Sequence, residues 1–296
     1  MNPKPVFPRG SVREVREFYD HIGWSRTEGD RYQNARYEDL RPVSRVYIGG
    51  SHRRVGRHLP PRGRLLLDAG SGPIQYPEYQ EYSRGYQYRV CLDLSRTALL
   101  EARERIGSHG LFLQADMARL PLRAGTFDAA VSLHALHHLP VASQAEAVHE
   151  LARVLAEGGR AVVVNGWPRS VLMSLASPLM GLAERRVAGV GAARAHTRAD
   201  EQAPSADVHT SASGTWVHRV DWRWWQARKR EGMRVDIRVW RSVSVRFLRA
   251  LIHPRKGGEK IMAAVAWLED RFPRFFGRFG QYPLIILSRG AGKGAL

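Results

Sequence analysis

The chain has 296 residues, 46 arginines and lysines against 28 acids, a formal charge of +18 and one cysteine. That length suits one large α/β domain with insertions. Cys91 alone excludes an intramolecular disulfide and a cysteine-built metal site, and no stretch reaches the ~18 apolar residues of a membrane span, so a cytoplasmic protein is expected. Residues 1–5 also lack the apolar core of a signal peptide. The charge alone would suit nucleic acid. Only five of the 46 basic residues are lysine, however, and the arginines are dispersed from end to end. They lack the clustered stripe that a phosphate backbone requires, so nucleic acid is not the expected partner.

Residues 11–47 are polar and carry spaced rings at Phe18, Tyr19, Trp24, Tyr32, Tyr37 and Tyr47. Ser11 is suited to cap a helix over 12–19, with Glu14 in its favourable first turn. The rings have two readings. They dock an aromatic-rich extension, residues 1–50, onto the main domain, or Tyr19, Trp24 or Tyr32 covers a ligand cleft where a π face attracts a methyl cation.

The strongest signal follows: three leucines at 65–67, then Asp68, Ala69, Gly70, Ser71, Gly72 and Pro73. This reads as a strand buried on both faces that ends at a glycine turn against a ligand. A dinucleotide pyrophosphate would be poorly served. Gln75 replaces the third glycine of the dinucleotide fingerprint, Pro73 removes a donor and Asp68 adds negative charge. A cationic ligand gains from that carboxylate, and S-adenosylmethionine, a sulfonium, is such a ligand.

Residues 88–92 predict a second strand ending at Asp93, 21 residues past Gly72, where a carboxylate can accept both hydroxyls of a ribose. Ser95 is the better cap for a helix over 97–106. Strand 111–115 ends at Asp116 and Met117. Either Asp116 accepts an adenine amino group with Met117 packed on the base, or it caps the loop. Strand 127–132 closes on Ser132 and runs into His134, His137 and His138. A helix over 142–155, buried through Ala147, Val148, Leu151 and Leu155, stops at Gly158 and Gly159. Strand 160–165 completes an alternating series that predicts a doubly wound, mostly parallel sheet with ligands at its carboxyl edge.

In that order, these motifs make residues 62–167 resemble the core of class I S-adenosylmethionine-dependent methyltransferases, particularly the small-molecule group of ubiquinone and menaquinone methyltransferase relatives. The resemblance rests on residues 67–72, on Asp93 with Leu94 and Ser95, on Ala115, Asp116 and Met117 before Leu120 and Pro121, on Phe127 and Asp128, on residues 136–139, and on residues 153–159. It implies a seven-stranded Rossmann-like sheet with helical cap insertions. It also implies S-adenosyl-L-methionine as cofactor, with Asp68, Gly70, Ser71 and Gly72 on the methionine part, Asp93 on the ribose, and Asp116 and Met117 on the adenine. Leu94 and Ser132 join the cofactor-binding set. Where many relatives have a further glycine, this chain has Pro73 and the tyrosine-rich segment 75–82, which would line the substrate side.

Beyond residue 167, an apolar-faced helix over 170–182 is bent by Pro178. Residues 189–214 read as a mobile lid or a disordered loop within a flexible lid insertion at 168–218. A helix over 221–231, a strand over 234–245 and a closing strand over 281–288, antiparallel by the resemblance, complete the core. A substrate cap at 246–280 contains a helix over 259–271. The expected units are thus 1–50, 51–167, 168–218 and 219–296. Arg241, Arg246 and Arg255 either bind an anionic acceptor or are scattered exposed charge. The Arg/Phe pattern at 271–279 lies beside an aromatic cap that admits a hydrophobic molecule, or it touches a membrane surface.

Methyl transfer is an in-line displacement at a carbon activated by sulfonium, so positioning carries much of it and a base serves only when the nucleophile loses a proton. His138, then His137, are the candidate bases, and Tyr19, Tyr82 and His134 the candidate substrate-side groups. For each histidine, packing is the plain alternative. No further ligand accompanies the i,i+4 pair His134 and His138, so no metal is expected. The expected function is transfer of a methyl group to a small-molecule acceptor, for example in specialised metabolism. An RNA methyltransferase and an inactive methyltransferase-like binding subunit are the alternatives, and the sequence leaves the oligomeric state open.

Overall fold

The computed structural model describes residues 12–24, 26–27, 31–32, 38–188, 209–210 and 216–289. Ser11, Tyr37, the side chain of Tyr32, most of the 189–214 segment and residues 290–296 lie outside the described residues. The sheet strands are β1 (Gly63–Ala69), β2 (Tyr86–Asp93), β3 (Gly110–Gln114), β4 (Phe127–Leu133), β5 (Leu155–Val164), β6 (Met233–Arg241) and β7 (Tyr282–Arg289). The helices are α1 (Val12–Phe18), which runs into a π-turn at Tyr19–Gly23, α2 (Pro42–Gly56), α3 (Pro77–Gln80), α4 (Arg96–Ile106), α5 (Val141–Val154), α6 (Val171–Ala188), α7 (Trp222–Arg230), α8 (Val245–Leu251), α9 (Gly258–Arg271) and α10 (Pro273–Phe279).

The seven strands form one sheet in the order β6-β7-β5-β4-β1-β2-β3. The pairings among β1 to β5 are parallel, and β7 is antiparallel to both β5 and β6. The mostly parallel sheet expected thus carries a C-terminal antiparallel hairpin at one edge. Successive strand residues face opposite ways, which divides the leucine run between two cores. Leu67 packs with Val90, Ala130, Val163, Ala147 and Leu151 of α5 and Trp225 of α7. Leu66 packs on the other face with Val131, Val162, Trp240 and Val55 of α2.

Several boundaries differ from expectation for identifiable reasons. Helix α5 stops at Val154, not at the glycine pair, because Leu155 is already extended and pairs with Phe127. The ladder then shifts register, Ala129 pairing with Arg160, so Gly158 at φ +75° serves an irregularity of the strand. Strand β6 ends at Arg241 because Ser244 accepts the Phe247 N–H at 3.1 Å and starts α8. Residue 50 is mid-helix: α2 buries Tyr47 and Ile48 against Val243, Leu248 and Met262, which joins the N-terminal segment to the C-terminal cap. Pro178 lies inside α6 without ending it.

Two buried carboxylates fasten this arrangement. Glu269 of α9 is fully buried and accepts from Tyr47 Oη at 2.6 Å, Ser242 N at 2.7 Å and Arg54 Nη1 at 2.5 Å. Asp68 accepts from Nε and Nη2 of Arg89, which is 1% exposed and also donates to the Tyr79 carbonyl at 2.5 Å. A buried charge is tolerated only with its partner present. Arg89→Met is therefore expected to cost about 3–5 kcal/mol in urea unfolding, and pairing it with Asp68→Leu to recover most of that loss. Cys91 is fully buried, and burial pushes its thiol up to about 12. Its alkylation by iodoacetamide at pH 8 is expected to be slowed in proportion to the global unfolding equilibrium, and rapid labelling of folded protein would contradict this packing.

Candidate active site

The carboxyl ends of β1, β2, β4 and β5 and the turns after them form one edge. At Gly70 and Gly72 the backbone is left-handed, with φ of +76° and +55°, a region that costs L side chains energy. A Cβ on Gly70 would sit 2.3 Å from that of Ala135, and one on Gly72 3.0 Å from the Trp24 ring. The N–H groups of Gly70 and Ser71 donate to the Leu92 carbonyl at 2.7 and 3.1 Å, which folds the turn over β2. Asp93 then accepts from Gly72 N and Ser95 N, both at 2.9 Å. Burial raises its carboxyl to about 6, against the lowering effect of those two bonds. Two backbone bonds leave a carboxylate with free lone pairs, so Asp93 retains capacity for hydroxyl donors. Leu94 is half-buried beside it.

The reading of Asp68 as a free negative charge beside the turn is corrected, because Arg89 neutralises it. Asp116 accepts from Ala118 N at 2.9 Å, the loop-capping role, and Met117 lies within 3.7 Å of where a Gly70 Cβ would stand. The π-turn docks on the start of α4, where Asp20 accepts from Ser95 Oγ at 2.7 Å. Tyr19 stacks on Trp24 with ring centroids 5.4 Å apart, and its hydroxyl lies 2.7 Å from His138 Nε2. Tyr82 is withdrawn from the candidate set, since it is 4% exposed and its hydroxyl donates to the His52 carbonyl at 2.8 Å.

Near the end of β4, Ser132 is fully buried with its Oγ unpartnered among the described residues. His134 has φ +54°, a conformation costly for any residue with a Cβ, held by its N–H donating to the Val164 carbonyl at 2.8 Å. Its ring lies 4.9 Å from Trp240 and 5.9 Å from Tyr282. His137 Nδ1 lies 3.0 Å from Asn165 Oδ1. Burial, then Arg241, drives His134 down to about 3, and burial, then His138, drives His137 well below its ordinary value. Both rings are neutral at pH 7 and hold a proton too weakly to serve as bases there, which removes the electrostatic case for His137.

Sequence reasoning did not single out the rings that surround His134 and Trp240, namely His52 and Tyr282, nor Trp240 itself, and left Arg241 between two readings. Trp240 and Arg241 are each 2% exposed, so scattered surface charge is the wrong description of Arg241. Alternate residues of β6 are buried up to Val239, then two successive ones. The β6–β7 ladder shifts between Val239 and Arg241, opposite Pro283. Proline has no N–H for a ladder, and the bulge it accompanies turns both side chains inward. Pro283 early in the closing strand was the available signal. Arg241 Nη1 donates to Glu38 at 2.5 Å, and its guanidinium lies 5.1 Å from the Trp240 ring and 4.7 Å from that of Tyr282. Arg246 is paired instead with Glu184 at 2.8 Å.

Residues 67–163 match the family model described as a methyltransferase domain. Over 123 residues the chain is 31% identical to the eEF1A lysine and N-terminal methyltransferase of Mus musculus, covering 40% of this chain and 17% of that protein. Over 126 residues it is 31% identical to the phosphatidylethanolamine N-methyltransferase of Cereibacter sphaeroides, covering 40% and 58%. The chain thus spans less than two thirds of the length of these curated relatives. The fold is shared with DhpI in its SAH complex, at a TM-score of 0.54, 14% identity and coverage of 95% and 98%. It is shared also with the [4+2]-cyclase SpnF, at 0.52, 18% identity and coverage of 96% and 98%. Residues 67–163, which match that family model, lie within a seven-stranded sheet whose fold these solved structures share.

Proposed function

We propose that the chain is an S-adenosylmethionine-dependent methyltransferase that acts on a small-molecule acceptor. The observation that carries this reading is the turn at Gly70–Gly72, left-handed at both glycines and tied to Asp93. A side chain at either glycine would fill space needed by neighbouring residues. The acid 21 residues later keeps lone pairs for a ribose diol. When bound, S-adenosylmethionine supplies a sulfonium-activated methyl group, leaving as S-adenosylhomocysteine after its carbon–sulfur bond passes the electron pair to sulfur.

This chain's residues position and dry that reaction. Gly70, Ser71 and Gly72 let backbone approach the methionine part, Asp93 and Leu94 flank the ribose, and Asp116 and Met117 the adenine, with Ser132 at the end of β4. Asp68 acts on the turn through Arg89 rather than by a free charge. Trp24 roofs Gly72, and Tyr19 bridges from it to His138, the remaining candidate to receive an acceptor proton. Two features support a small acceptor over RNA. The wall beside His134 is made of buried rings, and Arg54, Arg89, Arg153, Arg241 and Arg246 are engaged by Glu269, Asp68, Glu150, Glu38 and Glu184 instead of facing outward as a phosphate track.

Calorimetry with S-adenosylhomocysteine tests the cofactor site. Micromolar binding that weakens at least tenfold in Asp93→Ala is expected, about 1.4 kcal/mol. Absence of binding by folded wild type would overturn the reading. Because the Asp93 carboxyl is raised to about 6, it is mainly protonated at pH 5 and mainly ionised at pH 7.5. Hydroxyl donors favour the ionised form, so affinity should rise about tenfold from pH 5 to 7.5 and level off above. In Asp93→Asn that dependence should vanish.

A further inference from the structure

At the bulge, two nitrogens that can only donate are buried without an acceptor. Arg241 Nε and Trp240 Nε1 find no hydrogen-bond partner among the described residues, although both side chains are 2% exposed. Guanidinium and indole nitrogens have no acceptor capacity in any tautomer. Leaving them unpaired costs the full desolvation of each group, and more for the charged one. Such atoms are kept in a fold where something else supplies the acceptor.

The surroundings define what that is. Glu38 occupies Nη1 of Arg241 and leaves Nε unclaimed. His52 stacks on Trp240 with centroids 5.7 Å apart, its Nδ1 3.4 Å from Glu78 and its Nε2 unpartnered among the described residues. Tyr282 and Trp240 meet edge to face at 5.7 Å, with His134 against both. Arg219 reaches the same corner, its Nε and the Tyr282 ring both within 3.5 Å of where a Gly166 Cβ would stand. Burial apart, the groups that depress His134 are all cationic or imidazole: Arg241, His52, His138 and Arg219. Glu38 and Glu78 already partner Arg241 and His52, the walls are flat rings, and the unmet polar need of Arg241 Nε and Trp240 Nε1 is for acceptors.

We propose that this corner is the acceptor's anchor and that the methyl acceptor is a small, flat carboxylate, its oxygens accepting from Arg241 Nε and Trp240 Nε1. The assignment of this ligand as the methyl acceptor rests on the methyl-transfer reading; the anion site itself does not. The carboxylate of such an acid takes the two donors as a charge-assisted pair. The bulge is then a specificity device, since a neutral isostere gives Arg241 Nε and Trp240 Nε1 a weaker acceptor than a carboxylate does.

Benzoate and its neutral isostere benzamide are the probes, titrated calorimetrically into the full chain saturated with S-adenosylhomocysteine. Benzoate is expected to bind at least tenfold more tightly. That preference should disappear in Trp240→Phe, which removes only the N–H and keeps a ring, and in Arg241→Lys, which keeps charge and removes Nε. Both variants should retain wild-type affinity for S-adenosylhomocysteine as the control for folding. Equal or absent binding of the two probes, or a benzoate preference that survives both substitutions, would overturn the proposal. A wild type that ignores S-adenosylhomocysteine yet keeps the benzoate preference in buffer alone would remove the methyl-transfer reading and uphold the anion site.

Discussion

A carboxylate on a central strand, buried on both faces, can persist only with a cation beside it, and the pair of Asp68 and Arg89 meets that constraint. Asp68 stands opposite Cys91 in the ladder, two residues beyond Arg89, so the ion pair runs diagonally between β1 and β2 and locks their register. Register in turn places Gly72 above Asp93. The same arginine holds the Tyr79 carbonyl and so fixes the segment that carries Tyr76 and Tyr79 against His52. One buried ion pair thus orients both the turn for a cofactor and part of the wall for an acceptor.

The second half of the wall depends on a different rule. A ladder that meets Pro283 lacks a donor there, and β6 answers by bulging between Val239 and Arg241. Trp240 and Arg241 enter the interior as neighbours, where strict alternation would have sent one of them to the opposite face. Glu269 stabilises the result from behind: it holds Arg54, which donates to the Trp240 carbonyl at 2.9 Å, and Ser242 just past the bulge. Charge, sheet irregularity and cap packing converge on the same few residues.

The parallel core was legible because its signals are local. The leucine run, Gly70 and Gly72, Asp93 and the Ser95 cap each declare themselves within a few residues, and the strands and α4 lie where those patterns put them. Asp68 was misread because its partner lies on another strand, so that a charge apparent in one segment is cancelled by a residue 21 positions away. The acceptor wall was largely illegible for the same reason. His52, Tyr76, Trp240 and Tyr282 come from four separated segments, and nothing near His52 in sequence marks it as more than one histidine on a helix. Helix α5 was overrun because Leu155 satisfies the helical periodicity while its burial is won in a strand.

The placement of β7 has a consequence for synthesis. It lies between β5 and β6 although it follows both in sequence, and α9, which precedes it, closes on α2, which precedes β1. Residues 63–164 contain five contiguous parallel strands and can assemble as they leave the ribosome, whereas β5 waits with an open edge for more than a hundred residues. Such an edge is a template for pairing with another chain, and closing it depends on contacts of long sequence separation that form slowly. The glycine turn and the rings around Trp240 therefore mature at different times, and a nascent chain completes the second only when β7 has emerged.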